Sequence, residues 1–221
     1  MRGSIPVLPL MMLIRRSEII VEAAAAAAVP AIASRALAAG RTVLAMSVGG
    51  LLPLRDRWAR LARRGGRLLV PSGAIGGLDA IKGARLGRLR RVTLTTRKPP
   101  HTLRDAPGVA RRRLRVTRVT RPTILFDGPA SRAVRAFPQN INVAATLALA
   151  GLGPARTRVR IIADPTVRRN IHEIEAVGAF GRLVVRTENH PSAGNPKTSE
   201  LAILSALATL QQLAQPWRVG T

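Results

Sequence analysis

The chain has 221 residues, with 36 Lys+Arg against 11 Asp+Glu, no cysteine and no tyrosine. Its 47% hydrophobic content belongs to chains that bury a core rather than to disordered ones, and the length allows one large domain or two small ones. The absence of cysteine excludes disulfides, thiolate zinc sites and a cysteine nucleophile, and three widely spaced histidines, His101, His172 and His190, argue against a histidine metal centre.

Seventeen of the 25 net positive charges fall in residues 55–121, where 20 basic groups face three acidic ones. Such a stretch can neutralise phosphates, but only Trp58 interleaves with it, so the stacking platforms of a single-strand binder are missing. With 33 Arg, three Lys and a great excess of Ala, the charge reads as a compositional bias on solvated surfaces. Weak, salt-sensitive binding is expected, and no specific nucleic-acid partner.

Residues 1–14 set Arg2 before an apolar run, the outline of a signal peptide, yet Arg15, Arg16 and Glu18 follow without a small-residue cleavage site. The uncharged runs 23–34 and 42–54 are shorter than the roughly 18–20 residues a spanning helix needs. The expectation is a cytoplasmic protein with no membrane partner, residues 1–16 standing apart as a leader.

Residues 19–21 form a short apolar run like a buried strand. An Ala-rich helix is predicted over 25–39, ending at Gly40, with Pro30 near its first turn or kinking it. A second strand over 42–48, a turn at 49–53, an amphipathic helix over 54–64, a stop at Gly65-Gly66 and a third strand over 67–70 complete an alternation typical of parallel α/β sheets. From Leu89 onward, residues 91–97, 111–119 and 123–126 alternate like strands of a mixed or antiparallel sheet. A small-residue helix over 142–152, strands over 157–163, 171–177 and 182–188, and a packed helix over 199–213 follow.

Four stretches could carry chemistry. Residues 71–79, Pro71-Ser72-Gly73-Ala74-Ile75-Gly76-Gly77-Leu78-Asp79, follow a strand and precede a helix, with bare backbone that an anion or nicotinamide could approach; the same pattern also makes a tight connection. Residues 137–146 place Asn140 and Asn142 before a helix, where Asn142 could bind a ligand or cap. In Asn170-Ile171-His172-Glu173-Ile174-Glu175, period-two alternation sets His172 on one face with Ile174 and Ala176, and Glu173 and Glu175 on the other. His172 is therefore a core histidine or, with an unperturbed pKa near 6.5, a general acid/base. Residues 189–199 lead into the last helix with a cation and two hydroxyls, of Thr198 and Ser199, at its start; Lys197, Thr198 and helix N–H groups could hold a carboxylate, or the stretch could be capping and a solvated lysine.

In this order, residues 72–79, 137–146, 163–181 (Ala163-Asp164-Pro165, Asn170-Ile171-His172, Gly178-Ala179-Phe180-Gly181) and 195–199 (Asn195-Pro196-Lys197-Thr198-Ser199) resemble the L-aspartate dehydrogenase family, from about residue 17 to the final helix. The resemblance implies an N-terminal Rossmann domain and a C-terminal α/β domain that carries dimerisation and part of the active site. It also implies NAD- or NADP-dependent oxidation of L-aspartate, through iminoaspartate, to oxaloacetate and ammonia, linked to NAD biosynthesis. Under it His172 is the active-site histidine, and Ala74 and Asn142 contact the dinucleotide; no metal ligands are expected from the residues themselves. Ser72, Lys197 and Thr198 are added here as candidates for gripping the two substrate carboxylates, since a dianion needs cations or converging donors.

One feature departs from that pattern. The G-x-G-x-x-G fingerprint that holds a pyrophosphate occurs nowhere in the sequence, and the acidic ribose-binding residue expected after it is missing too. The expected architecture is α/β: after the leader, a partial Rossmann-type parallel sheet in 17–70, a second α+β domain with a mixed or antiparallel sheet in 71–198, and a C-terminal helix in 199–221 packing back on the fold. A sheet so shortened should expose apolar surface. The competing readings are a catalytically impaired remnant that only binds or dimerises, and an Arg-rich nucleic-acid-binding protein.

Overall fold

In the computed structural model, which describes residues 5–62, 65–110, 115–138, 141–195 and 198–220, the chain divides into two units, Met1–Val70 and Pro71–Thr221. The first runs through helix α1 (Leu10–Arg16), strand β1 (Ile19–Glu22), helix α2 (Val29–Ala38), strand β2 (Thr42–Ala45), a 3₁₀ segment (Val48–Leu54), helix α3 (Arg55–Ala62) and strand β3 (Arg67–Leu69). The strands form a wholly parallel sheet in the order β1-β2-β3, as their alternation with helices predicts.

Pro30 lies in the first turn of α2, where its missing N–H costs no intrahelical bond. Val29, Ala33, Ala36 and Leu37 form the buried stripe of α2, and Gly40, at φ +71°, ends it. Gly66 permits the chain to pass the end of this helix, because a Cβ there would stand 2.7 Å from the Leu37 carbonyl oxygen. At the carboxyl ends of β1 and β2, the buried Glu22 carboxylate accepts hydrogen bonds from the Ala24 N–H (2.9 Å) and the Ser47 N–H (3.0 Å). The opening apolar run, given no element in the sequence reading, forms α1: it packs on α2 and buries Ile14, with Arg15 and Arg16 in its last turn, where cations complement the helix dipole. Ile19 and Val21, on one face of edge strand β1, are exposed.

The second unit contains α4 (Leu78–Leu86), β4 (Leu89–Lys98), a 3₁₀ turn (Pro100–Leu103), α5 (Pro107–Ala110), a second 3₁₀ turn (Val116–Arg118), β5 (Thr123–Pro129), α6 (Ala130–Ala136), α7 (Asn142–Ala150), β6 (Thr157–Ala163), β7 (Asn170–Gly178), β8 (Gly181–Asn189) and α8 (Glu200–Ala214). Its sheet has the order β5-β6-β4-β7-β8, with β4 parallel to β6 and the other neighbours antiparallel. The sheet is mixed, one of the two forms expected. Helices α4, α6 and α7 pack on its strands, and Val92, Leu94, Val159, Ile161, Ile174 and Ala176 are buried beneath them. The other face is charged: Glu175 pairs with Arg91 and Arg182, and Asp127 with Arg158 and Arg160.

Two expectations need correction. The alternation over 111–119 does not make a strand: Val116–Arg118 is a 3₁₀ turn, while residues 111–114 lie outside the described residues. Val116 is the single buried side chain of its described part, too little apolar surface to anchor a strand on a core. Helix α8 occupies its expected span, but Ala206 alone is buried, and Leu201, Leu204 and Leu207 are exposed.

Candidate active site

Strands β4 and β6 run parallel, β7 runs against β4, and β8 against β7. The carboxyl ends of β4, β6 and β8 and the amino end of β7 therefore meet at one end of the sheet. Ligands commonly bind where parallel strands finish, because the loops leaving them can diverge around a guest. Here Pro99, Pro100 and Pro165, which follow β4 and β6, line a cleft with His101 and Arg168.

Register assembles a row of side chains at this end. Thr96 of β4 stands opposite His172 of β7, and His172 opposite Thr187 of β8. The Thr96 hydroxyl and His172 Nδ1 are 3.0 Å apart, leaving Nε2 as the ring nitrogen free of that bond. The Thr187 hydroxyl donates to the Ala74 carbonyl oxygen at 2.9 Å, and the Asn189 Nδ2 amide donates to the same oxygen at 3.0 Å. The strand partner of His172 thus holds the carbonyl of Ala74, which lies 98 positions from His172 in the sequence.

His172 is buried on the apolar face that its alternation predicts. Burial first, and then the positive charge of Lys98, push its pKa from 6.5 down to about 3. It is a neutral imidazole at physiological pH, outside the titration range expected from sequence. Lys98, the last residue of β4, is itself buried, and this desolvation pulls its pKa from 10.5 to about 8. Just beyond it, the Asp164 N–H donates to the Lys98 carbonyl oxygen at 2.9 Å. Burial alone would raise the Asp164 pKa, but hydrogen bonds from the Thr166 hydroxyl and N–H, together with Arg97, hold it below the ordinary carboxylate value.

The turn before α4, which includes Ser72, brings Ala74 to this cluster. Its Gly73 N–H donates to the Ser205 hydroxyl of α8 at 2.9 Å. Gly73 and Gly77 have φ of +67° and +75°, in the left-handed region where glycine is favoured. The start of α8 is tied to the end of β8, since the Glu200 N–H donates to the His190 carbonyl oxygen at 3.0 Å and Ser192 N–H to the Thr198 carbonyl oxygen at 2.8 Å. Ser199 occupies the N-cap position, and its buried hydroxyl has no partner among the described residues.

Of the residues singled out from sequence, His172 stands opposite Thr187, which holds the Ala74 carbonyl, Ser72 lies in the same turn as Ala74, and Thr198 stands at the start of α8. Asn142 is exposed as the first residue of α7, with Ile141 rather than Asn142 in the N-cap position. Lys197 lies outside the described residues. Sequence reasoning missed Thr96, Lys98, Thr187 and Asn189. For Lys98 a signal exists: it stands in the buried phase of its strand's alternation, and a cation in that phase is unusual. Among the described residues, no cluster of three or more His, Asp or Glu could hold a metal, and no helix is long and apolar enough to cross a membrane.

Comparison with known proteins adds to this geometry. Residues 79–213 match the domain family described as aspartate dehydrogenase, C-terminal. The chain is 50% identical over 212 residues to the L-aspartate dehydrogenase of Methanosarcina barkeri, covering 95% of this chain and 78% of that protein. It is 48% identical over 218 residues to the L-aspartate dehydrogenase of Methanocella arvoryzae, covering 97% and 81% of the two chains. The fold superposes on the crystal structure of an aspartate dehydrogenase from Thermotoga maritima with a TM-score of 0.78 and 27% identity, covering 98% of this chain and 82% of that one.

Proposed function

Because this chain belongs to the aspartate dehydrogenase family, we propose that it is an NAD(P)-dependent L-aspartate dehydrogenase, oxidising L-aspartate through iminoaspartate to oxaloacetate and ammonia. The observation that carries this reading is the row of buried Thr96 and His172 and half-buried Thr187, with the Ala74 carbonyl, at the end of the sheet where the strands β4 and β6 finish.

The nicotinamide end of the dinucleotide is assigned to Ala74 and Asn142. A turn of this kind suits a flat ring: the Ala74 carbonyl is fixed by two donors, and beyond Gly73 and its chain neighbours nothing lies within 4 Å of the point where a Cβ would stand. A bound dinucleotide supplies the hydride acceptor, and the residues of the chain supply orientation and proton handling. No residue here is assigned to the pyrophosphate, for which the glycine fingerprint is not in the sequence. Ser72, Lys197 and Thr198 are assigned to the substrate carboxylates, and the unpartnered hydroxyl of Ser199 supports a polar guest at the start of α8. His172, neutral and anchored through Nδ1, presents its other ring nitrogen to the substrate.

The enzyme is further proposed to act in the cytoplasm, in the synthesis of pyridine nucleotides, as a homodimer. The exposed leucines of α8 are apolar surface of the kind a second subunit covers. The decisive experiment follows L-aspartate-dependent reduction of NAD and of NADP by the purified chain beside its His172→Ala variant. Reduction lost in the variant is the expected result; a folded wild-type chain that reduces neither would defeat the proposal. Light scattering on the same sample reads the oligomeric state.

A further inference from the structure

Lys98 stands two residues beyond Thr96 on β4 and shares its buried phase, so it lies about 6–7 Å along the strand from the residue bonded to His172. It is 8% exposed, and its charge reaches the His172 ring. A buried ammonium is costly, and lysine is seldom retained in a core without a task. The composition sharpens the point. Lysine supplies three of 36 basic residues, arginine doing the rest, so an amine is used here where a guanidinium is the general habit. An amine can release its proton near neutrality, whereas a guanidinium stays charged.

On this face His172 is a titratable neighbour that the Lys98 charge reaches. On β7, Glu173 and Glu175 belong to the opposite phase, as do Arg158 and Arg160 on β6. Asp79, Lys82 and Arg85 of α4 are exposed, and the Asp164 carboxylate is engaged by Arg97 and Thr166.

We propose that Lys98 is a second catalytic group of this site: its amine is the base that takes a proton from the water adding to iminoaspartate, and its ammonium returns that proton to the departing nitrogen. This role rests on the dehydrogenase reading above. In the first step the water oxygen bonds to the iminium carbon, the C=N π pair moves to nitrogen, and a water proton passes to Lys98 Nζ, giving a neutral carbinolamine. In the second, the Lys98 ammonium protonates the amine nitrogen. The C–N bond then breaks with its electron pair going to nitrogen, the hydroxyl proton returns to Nζ as the C=O bond forms, and ammonia leaves. Iminium plus water thereby becomes oxaloacetate plus ammonia and one proton, with no external oxidant or reductant.

The proton affinities divide the labour. An imidazole whose pKa is about 3 holds a proton poorly at neutral pH, whereas an amine near 8 exchanges one readily. His172 then orients the substrate and Lys98 moves the proton.

The test compares the wild-type chain with Lys98→Arg and Lys98→Met, separating kcat from KM for L-aspartate across pH. Alongside, trace acetylation of the unliganded wild type is followed peptide by peptide. Both variants should lose about a hundredfold or more in kcat with KM little changed. Wild-type kcat should rise with pH through a midpoint near 8 that the variants lack, and Lys98 should acetylate with that same midpoint. Melting temperatures verify folding; Lys98→Met, apolar and similar in size, serves if the bulkier arginine does not fit. Wild-type kcat in Lys98→Arg, or a raised KM with unchanged kcat, would overturn the proposal by making Lys98 a charge anchor alone. A wild-type chain that turns over no aspartate would overturn the dehydrogenase reading and this role with it.

Discussion

Asn189 and Ala74, 115 residues apart in sequence, are joined by a 3.0 Å hydrogen bond in which the Asn189 side-chain amide donates to the Ala74 carbonyl oxygen. Asn189 is buried at the end of β8, and its amide also reaches the Thr187 hydroxyl at 3.3 Å. One side chain therefore fixes the turn proposed to receive the nicotinamide relative to the strand facing His172.

Replacing Asn189 by Ala should cost about 1–2 kcal/mol, the lower part of the range for a lost buried hydrogen bond, because Thr187 still serves the Ala74 carbonyl. The effect on function should exceed the effect on stability: KM for the dinucleotide should rise more than KM for aspartate. Urea unfolding and steady-state kinetics on the same preparation measure both.

His172 should make the protein sensitive to acid. Its folded pKa, about 3, lies below the 6.5 of the unfolded chain, so between these values the unfolded state binds the extra proton. Stability from this group is complete above about pH 6.5 and falls by a few kcal/mol in total as pH drops toward 3. In His172→Gln the urea midpoint should fall less steeply over that window than in the wild type.

Lys98 gives the opposite bargain at neutral pH. With a folded pKa near 8 against 10.5 unfolded, its burial destabilises the protein fully below about pH 8, and the cost is relieved as pH rises toward 10.5. Lys98→Met should therefore be more stable than wild type at pH 7, by up to about 3 kcal/mol, while losing activity. Its advantage should vanish above about pH 10. Thermal melts of the two proteins at pH 7 and pH 10 provide the comparison.

Gly77→Ala should destabilise the second unit by about 1–3 kcal/mol. Two causes act together: φ is +75°, and the new Cβ would lie 2.7 Å from a Val185 methyl carbon. Adding Val185→Ala removes the clash but not the backbone strain, so the double variant should recover only part of the loss, beyond the cavity cost of Val185→Ala alone. Equilibrium unfolding of the four proteins closes the cycle.

The parts of the fold that can be read from sequence are those where local pattern and final environment agree. Strand β8 alternates along its length, β6 over 157–161 and β7 over 172–176, and the Pro30 and Gly40 signals bracket α2. Helix α6 is hidden, since Ala130–Ala136 carries arginines and buries only Ala130 and Ala133, leaving no apolar stripe to detect. His172 is visible as the one histidine in an apolar phase, and the family motifs point to it. Thr96 is not, because its importance comes from pairing with a residue 76 positions away, and register between distant strands is absent from any local window. The pKa of His172 is equally invisible, being a property of burial and of Lys98 rather than of the imidazole.

The placement of β4 at the centre of the five-stranded sheet also orders events during synthesis. Its neighbours β6 and β7 begin at Thr157 and Asn170, so about sixty residues must be made after Lys98 before β4 can find its first partner. At roughly 5–20 residues per second this is a wait of several seconds. During it a ten-residue strand has both edges open, while the parallel sheet of the first unit closes entirely within residues 19–69. The buried lysine and histidine thus come together only late in translation, and the charged residues Arg90, Arg91 and Arg97 along β4 serve as its solubilising guard until then.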